Sequence, residues 1–284
     1  MDDTVALGAA PVPQLKKHGT KRLILLAAAA FAAVLVPLYL FAISRPSVGI
    51  IHDDGIYTVT AKSLAEGRGF RIESLPDNPA QTKYGPVYVA VLAFIWRLFP
   101  CFPTNLLLLK MTTAAFLIPW MCCSYAALTR LFCLPREAAA WICVITASLP
   151  WCITSAASLM SDLPFAVLVM LSILCFGRAE STSHITMRLA SACALAAASA
   201  YLTRSAGLAV ILGGAGIFFP LPRLRPVLVY LGISGAAIGG WIAWQFANAD
   251  SYTLPALRYY TADNYHDWNA ILAGAPLEKV ILLV

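Results

Sequence analysis

The chain has 284 residues, of which 60% are hydrophobic and only 12% charged, with a mean hydropathy of +0.75 and a formal net charge of +6. A soluble domain carries about 25% charged residues, so this composition excludes an ordinary soluble enzyme and indicates helices solvated by lipid. The Lys and Arg residues are spread over short turns and form no dense basic face, which excludes a nucleic-acid partner and is read as membrane topology.

Residues 1–20 are polar, with Pro and Gly, and read as a short cytoplasmic tail. KKHGTKR then precedes an apolar run over 23–43. That run is longer than the roughly 7–15 residues of a signal-peptide core, and no A-x-A site follows it, so it reads as an uncleaved first transmembrane helix. Residues 45–83 are polar and hold most of the charge of the first half. Segment 84–99 is apolar but short, and it opens with Gly-Pro, which suits a re-entrant or interfacial piece. Apolar runs follow near 104–132, 138–158, 163–177, 189–203, 205–220 and 226–247. A second polar stretch, 248–276, is expected to form an extracytoplasmic loop. Residues 277–284 read as the start of a further, truncated transmembrane helix. The expected fold is all-α: a polytopic transmembrane bundle of about seven spanning helices plus one re-entrant or interfacial segment.

The positive-inside rule orients these segments. Lys16, Lys17, Lys21 and Arg22 place the N-terminus inside and stretch 45–83 outside. The basic turns Arg130/Arg136, Arg178/Arg188 and Arg223/Arg225 then all face the cytoplasm, provided that segment 84–99 makes no net crossing. The outward set is small: stretch 45–83, the turn at Asp162, the turn at Arg204, and stretch 248–276. It holds nearly all the unusual polar residues, which argues for one extracytoplasmic site.

His52-Asp53-Asp54 lies just beyond the first helix. Adjacent carboxylates near a membrane repel each other and resist desolvation, so they call for a cation, a basic partner or a catalytic task. Capping of the amphipathic helix that follows is the alternative. Lys62, Arg68, Arg71 and Lys83 share that stretch and can hold a phosphate or merely contact headgroups. Asp162 and Arg204 interrupt apolar sequence, where an ionisable residue is a functional candidate; each also has a plain reading, as a helix cap and as an interfacial turn residue. Stretch 248–276 is rich in Tyr, Asn, Asp, His and Trp, a composition that suits sugar recognition or a membrane-interface belt. The eight cysteines show no CxxC or Cys/His spacing and read as small apolar packing residues. No P-loop, GxGxxG, HExxH or GxSxG motif is present.

HDDGIYTVTAKSLAEGRGF resembles the first outer loop of GT-C glycosyltransferases, in the branch of protein O-mannosyltransferases and the lipid A aminoarabinose transferase. The matching positions are Asp53, Asp54, Tyr57, Ala61 and Leu64. TKYGPVYVAVLAFIWRLF resembles the motif that follows, through Lys83, Pro86 and Tyr88, with Gly85 where a second Pro is common. SLMSDLPFAVLVMLSILCFGR and YLTRSAGL resemble two later segments of the family. The order and spacing match over roughly residues 20–220, and the implied catalytic module is 21–247.

The resemblance implies an inverting transfer of a sugar from a polyprenyl- or dolichyl-phosphate donor to a protein, lipid or glycan acceptor. It takes place outside the cytoplasmic (plasma) membrane. It implies Asp53 as the base, with Asp54 supporting it. Lys83, Arg68 and Arg204 hold the donor phosphate, and Tyr57, Tyr88 and Asp162 support the site. Asp162 stands where the oligosaccharyltransferases place metal-binding acids. Only one Asp is present there, so no metal and no cofactor is expected. A transporter or flippase for a lipid-linked glycan, and an inactive GT-C-like fragment, remain the alternatives; the first needs a polar path across the bilayer.

Overall fold

The computed structural model describes residues 22, 26, 29–51, 53–182, 184–218 and 224–248. His52, Arg223, the 1–20 tail, nearly all of stretch 248–276 and the segment 277–284 lie outside the described residues. Among the described residues there is no strand, only an isolated antiparallel bridge between Arg71 and Ala80, and helices are the dominant element.

A π-helical turn, Phe31–Leu35, runs into α1, Val36–Ser44, which has Pro37 in its first turn. Helix α2, Asp53–Ala65, opens on two carboxylates at its electropositive end. It stops in a Schellman arrangement: Arg68 N–H donates to Ser63 O at 2.9 Å and Gly67 N–H to Leu64 O at 3.2 Å. Gly67 sits there at φ +78°, a conformation glycine adopts without strain. Helix α3, Pro86–Leu98, starts with Pro at its first position, where the missing N–H is of no consequence.

Helices α4 (Leu106–Ala115) and α5 (Leu117–Arg130) together form one span of 25 residues. The apolar run expected near 138–158 is two helices, α6 (Arg136–Ala147) and α7 (Pro150–Ala157), bent by 62°. Pro150 causes the break, because it drives the preceding Leu149 out of the helical region, to φ −65° and ψ 139°. The chain continues through α8 (Asp162–Glu180), α9 (Met187–Tyr201), α10 (Gly207–Phe218) and α11 (Leu224–Ala247).

Among the described residues three spans are long and apolar enough to cross a membrane, Leu106–Arg130, Asp162–Glu180 and Leu224–Ala247, and the bent α6–α7 pair makes a fourth if taken as one. The protein is therefore membrane-embedded. Helix α9 lies at the centre of its own cluster. Its Ala190, Cys193, Ala194 and Ala197 are buried, and such small side chains let α8, α10 and α11 close on it.

The helices divide the molecule into two ends. At one end α1 finishes, α2 and α3 lie, α8 begins and α11 finishes. Both ends of α3 belong there. Its first turn rests on α9, with Val87 N–H donating to Leu202 O at 3.2 Å. Its last turn leads through 99–105 to the start of α4, beside Arg45 and Pro46. At the opposite end the last turns of α5, α8 and α10 meet around a cleft of about 420 Å³ that includes Arg130, Gly177, Glu180 and Ile217. The first turns of α9 and α11 meet there as well, with Thr186 and Arg225 sharing a second cleft. Arg130, Arg136, Arg178, Arg188 and Arg225 all sit at this second end, exposed.

Candidate functional site

The acidic pair occupies the first turn of α2, and its two members differ in environment. Asp54 is buried, with Oδ1 accepting from Gly55 N–H at 2.9 Å. Asp53 is half-buried, and its Oδ1 accepts the hydroxyl of Tyr84. They are the first two residues of α2 itself and gain from its dipole, which is compatible with a chemical role.

One turn further along α2, Tyr57 is 2% exposed, and its hydroxyl lies 2.8 Å from Ser161 Oγ, the residue that precedes α8. Burial raises the pKa of this phenol well above the usual tyrosine range. The hydrogen bond to Ser161 and the charge of Arg204 oppose the shift, whereas Asp53 and Asp162 add to it. Tyr57 therefore stays a neutral hydroxyl at any physiological pH. Its ring packs on Tyr84, with centroids 4.9 Å apart, and edge-on against Tyr88 at 5.1 Å. Tyr88 is fully buried and shares a 2.6 Å hydrogen bond with Thr113 of α4.

Asp162 and Arg204, 42 residues apart in sequence, form an ion pair: Arg204 NH1 donates to Asp162 Oδ1 at 2.7 Å. The arginine side chain is 39% exposed and the aspartate 26%, so the pair sits at the rim of the site. Asp162 Oδ2 is buried with no hydrogen-bond partner among the described residues. Tight packing brings Arg204 here. A Cβ on Gly85 would lie 2.0 Å from Leu202 O, so only glycine lets the start of α3 sit against the end of α9.

Of the residues expected in the site, Asp53, Asp54, Tyr57, Tyr88, Asp162 and Arg204 are gathered by the fold. Lys83 joins them at the edge, with Nζ 5.6 Å from the centre of the Tyr84 ring. Arg68 does not join them. It follows the far end of α2, about 20 Å along the helix from Asp53, and its guanidinium is held by Glu66 and Glu73. Two carboxylates neutralise it there, away from the residues gathered around Asp53. Arg71 likewise serves its own loop, donating to Asn78 O at 3.0 Å.

Four contributors escaped the sequence reading: Tyr84, Ser161, Gln81 and Lys110. Lys110, on α4, is 1% exposed, donates to Arg45 O at 2.7 Å and Ser47 Oγ at 3.2 Å, and feels the charge of Asp54. It ties the α1–α2 connection to the bundle beneath the acidic pair. A lysine inside an apolar run was a legible signal. Tyr84 and Gln81 carried none, because their roles depend on partners distant in sequence.

An apolar cleft of about 410 Å³ opens beside the site between α3, α9 and α11, with Phe70, Leu202, Trp241 and Trp244 in its wall. Among the described residues no three His, Cys, Asp or Glu side chains gather to hold a metal ion. Comparison with protein-family models, with curated proteins and with solved structures returns no match for this chain.

Proposed function

We propose that this protein is an inverting membrane glycosyltransferase of the GT-C type, moving a sugar from a polyprenyl-phosphate donor to a hydroxyl acceptor. One observation carries the reading. Asp53 and Tyr57 from α2, Asp162 from α8 and Arg204 from the α9–α10 turn converge at one end of the bundle, while the basic turns collect at the other. With that basic end in the cytoplasm, the site faces outward from the cytoplasmic membrane. The shorter helices α1, α9 and α10 complete a bundle of about seven spans in this reading, and α2 and α3 lie across the outer end.

The chemistry follows from the two carboxylates being unlike. Asp53, half-buried, is placed to take the proton of the acceptor hydroxyl as that oxygen attacks the anomeric carbon. The new C–O bond forms as the bond from carbon to phosphate oxygen breaks. The leaving lipid phosphate carries away the electron pair, and attack from the opposite face inverts the anomeric centre. Lys83 and the open edge of the Arg204 guanidinium stabilise the charge that develops on that phosphate. Asp162 holds Arg204 in place. The apolar cleft between α3, α9 and α11 fits the isoprenoid chain next to its headgroup. Arg68 has no part in the mechanism, and no metal is invoked.

The test is sugar transfer by the purified protein, with a panel of polyprenyl-phosphate sugars, wild type beside Asp53→Asn. Lipid phosphate released by wild type and lost by about 10²–10⁴-fold in Asp53→Asn is the expected result. Release at an equal rate by both proteins would overturn the base assignment. No release by wild type from any donor would overturn the transferase reading in favour of carriage of a lipid-linked glycan.

A further inference from the structure

We propose that Tyr84 is a second functional group of this site and that Gln81 is the residue that positions it, an inference that rests on Asp53 being the base. The argument starts from how residues 81–85 are held. Gln81 is fully buried, and its backbone and side chain make four hydrogen bonds. Its N–H donates to Phe70 O at 2.9 Å, and its O accepts from Trp244 Nε1 at 2.9 Å. Its side-chain Oε1 accepts from the backbone N–H of both Lys83, at 2.9 Å, and Tyr84, at 3.1 Å. One residue later, Gln245 Nε2 donates to Thr82 O at 2.8 Å. The other boundary is Gly85, lodged against Leu202.

Tyr84 therefore stands between two fixed points. Its backbone N–H is held by Gln81 and its ring by Tyr57, and its hydroxyl donates to Asp53 Oδ1. Glutamine supplies something an apolar residue of the same size cannot, an uncharged acceptor with reach enough to take two successive amide protons without burying a charge. The hydrogen bond from Tyr84 fixes the torsion of the Asp53 carboxylate and so the direction in which its other oxygen meets the acceptor hydroxyl. No proton leaves Tyr84. When Asp53 takes the acceptor proton, the Tyr84 bond remains and orients the resulting acid. Gln81 touches neither base nor substrate; it acts through Tyr84.

Two measurements test this, and they fail independently. In the transfer assay, Tyr84→Phe lowers kcat by about tenfold, the lower end of what a hydrogen bond to a charged group contributes, with KM within about twofold of wild type. Gln81→Leu lowers kcat similarly, yet adds less than about twofold on top of Tyr84→Phe, because both remove the same interaction. Unchanged kcat in Tyr84→Phe, or single effects that multiply in the double variant, would overturn the assignment.

The second measurement needs no activity. With 3-fluorotyrosine at position 84, the fluorine resonance of the detergent-solubilised protein shifts on Asp53→Asn and shifts again on Gln81→Leu. If Gln81→Leu does not purify as a folded species, Gln81→Asn takes its place. That side chain keeps the amide oxygen but is shorter, and the same shift is expected. A resonance indifferent to Asp53→Asn would overturn the contact itself. A resonance that responds, in a protein that transfers no sugar from any donor, would leave the Gln81–Tyr84–Asp53 contact standing and remove the glycosyl-transfer reading instead.

Discussion

The two ends of the bundle differ in how they hold polar groups. At the end with α2 and α3, several polar groups are buried or half-buried and bonded to one another. Asp54 and Lys110 are almost fully enclosed, Tyr57 bonds to Ser161, Tyr88 to Thr113, and Asp162 to Arg204. At the other end Arg130, Arg136, Arg178, Arg188 and Arg225 stand exposed in the first or last turns of their helices. Burial of polar groups is expensive and is stable only with good geometry, so the first end is a place where position is specified. Exposed arginines are nearly indifferent to geometry and act through the sign of their charge. In the proposed reading one end does chemistry, and the other orients the chain in its membrane.

The sharpest way to break that comparison is to exchange charges across it. Asp53→Asn is expected to reduce transfer by about 10²–10⁴-fold, and Arg204→Ala by at least about tenfold, since it strips Asp162 of its partner as well as the site of a cation. Arg130→Ala, at the far end, is expected to leave the rate within about twofold, as surface substitutions generally do. Equal losses from Arg204→Ala and Arg130→Ala in the same assay would end the distinction.

Gly85→Ala probes how the chemical end is assembled. The added methyl lands 2.0 Å from Leu202 O, a backbone atom that cannot step aside. The start of α3 must lift from α9, carrying Tyr84 and Lys83 with it. Folded protein recovered after detergent extraction should fall severalfold. A Gly85→Ala protein with wild-type yield and rate would show that this approach is not needed to build the site.

How far the sequence revealed these two ends depends on what each relies on. Charge interrupting apolar text is visible without a structure and singled out Asp53, Asp162 and Arg204, but the pairing of Asp162 with Arg204 was not visible. Helix existence was legible for the same reason, from apolar runs bounded by polar turns. The break at Pro150 was hidden because the run on either side of it is apolar. The ion pairs of Arg68 with Glu66 and Glu73 were not legible, because its charge was read without the turn at Gly67 that brings them onto it. Tyr84, Gln81 and Ser161 are uncharged, and their importance lies in contacts with α2 and α11, which no local pattern encodes.

Lys110→Met gives a smaller effect that refines the comparison. The substitution keeps the length of the side chain and removes the ammonium, leaving Arg45 O and Ser47 Oγ without their donor. The loss of buried hydrogen bonds to a charged donor is worth about 2 kcal/mol. That corresponds to a fall of roughly 5 °C in the midpoint of thermal unfolding. A midpoint unchanged within a degree would mean that Lys110 does not secure the α1–α2 connection.

The smallest perturbation uses cysteines already in the chain. Cys101 lies exposed in the turn between α3 and α4, at the chemical end, and Cys133 lies exposed between α5 and α6, at the basic end. If the basic end faces the cytoplasm, a membrane-impermeant maleimide added to intact cells reaches Cys101 and not Cys133. Labelling from outside should then disappear in Cys101→Ser and persist in Cys133→Ser, with activity unchanged in both because neither thiol meets the site. The reverse pattern would turn the molecule over. Asp53 would then face the cytoplasm, and the five arginines would face away from the side on which such residues collect. Because α3 begins and ends at the same end of the bundle, Cys101 reports the side of Asp53 as well. Labelling of both thiols from outside would mean that the span Leu106–Arg130 does not cross the membrane.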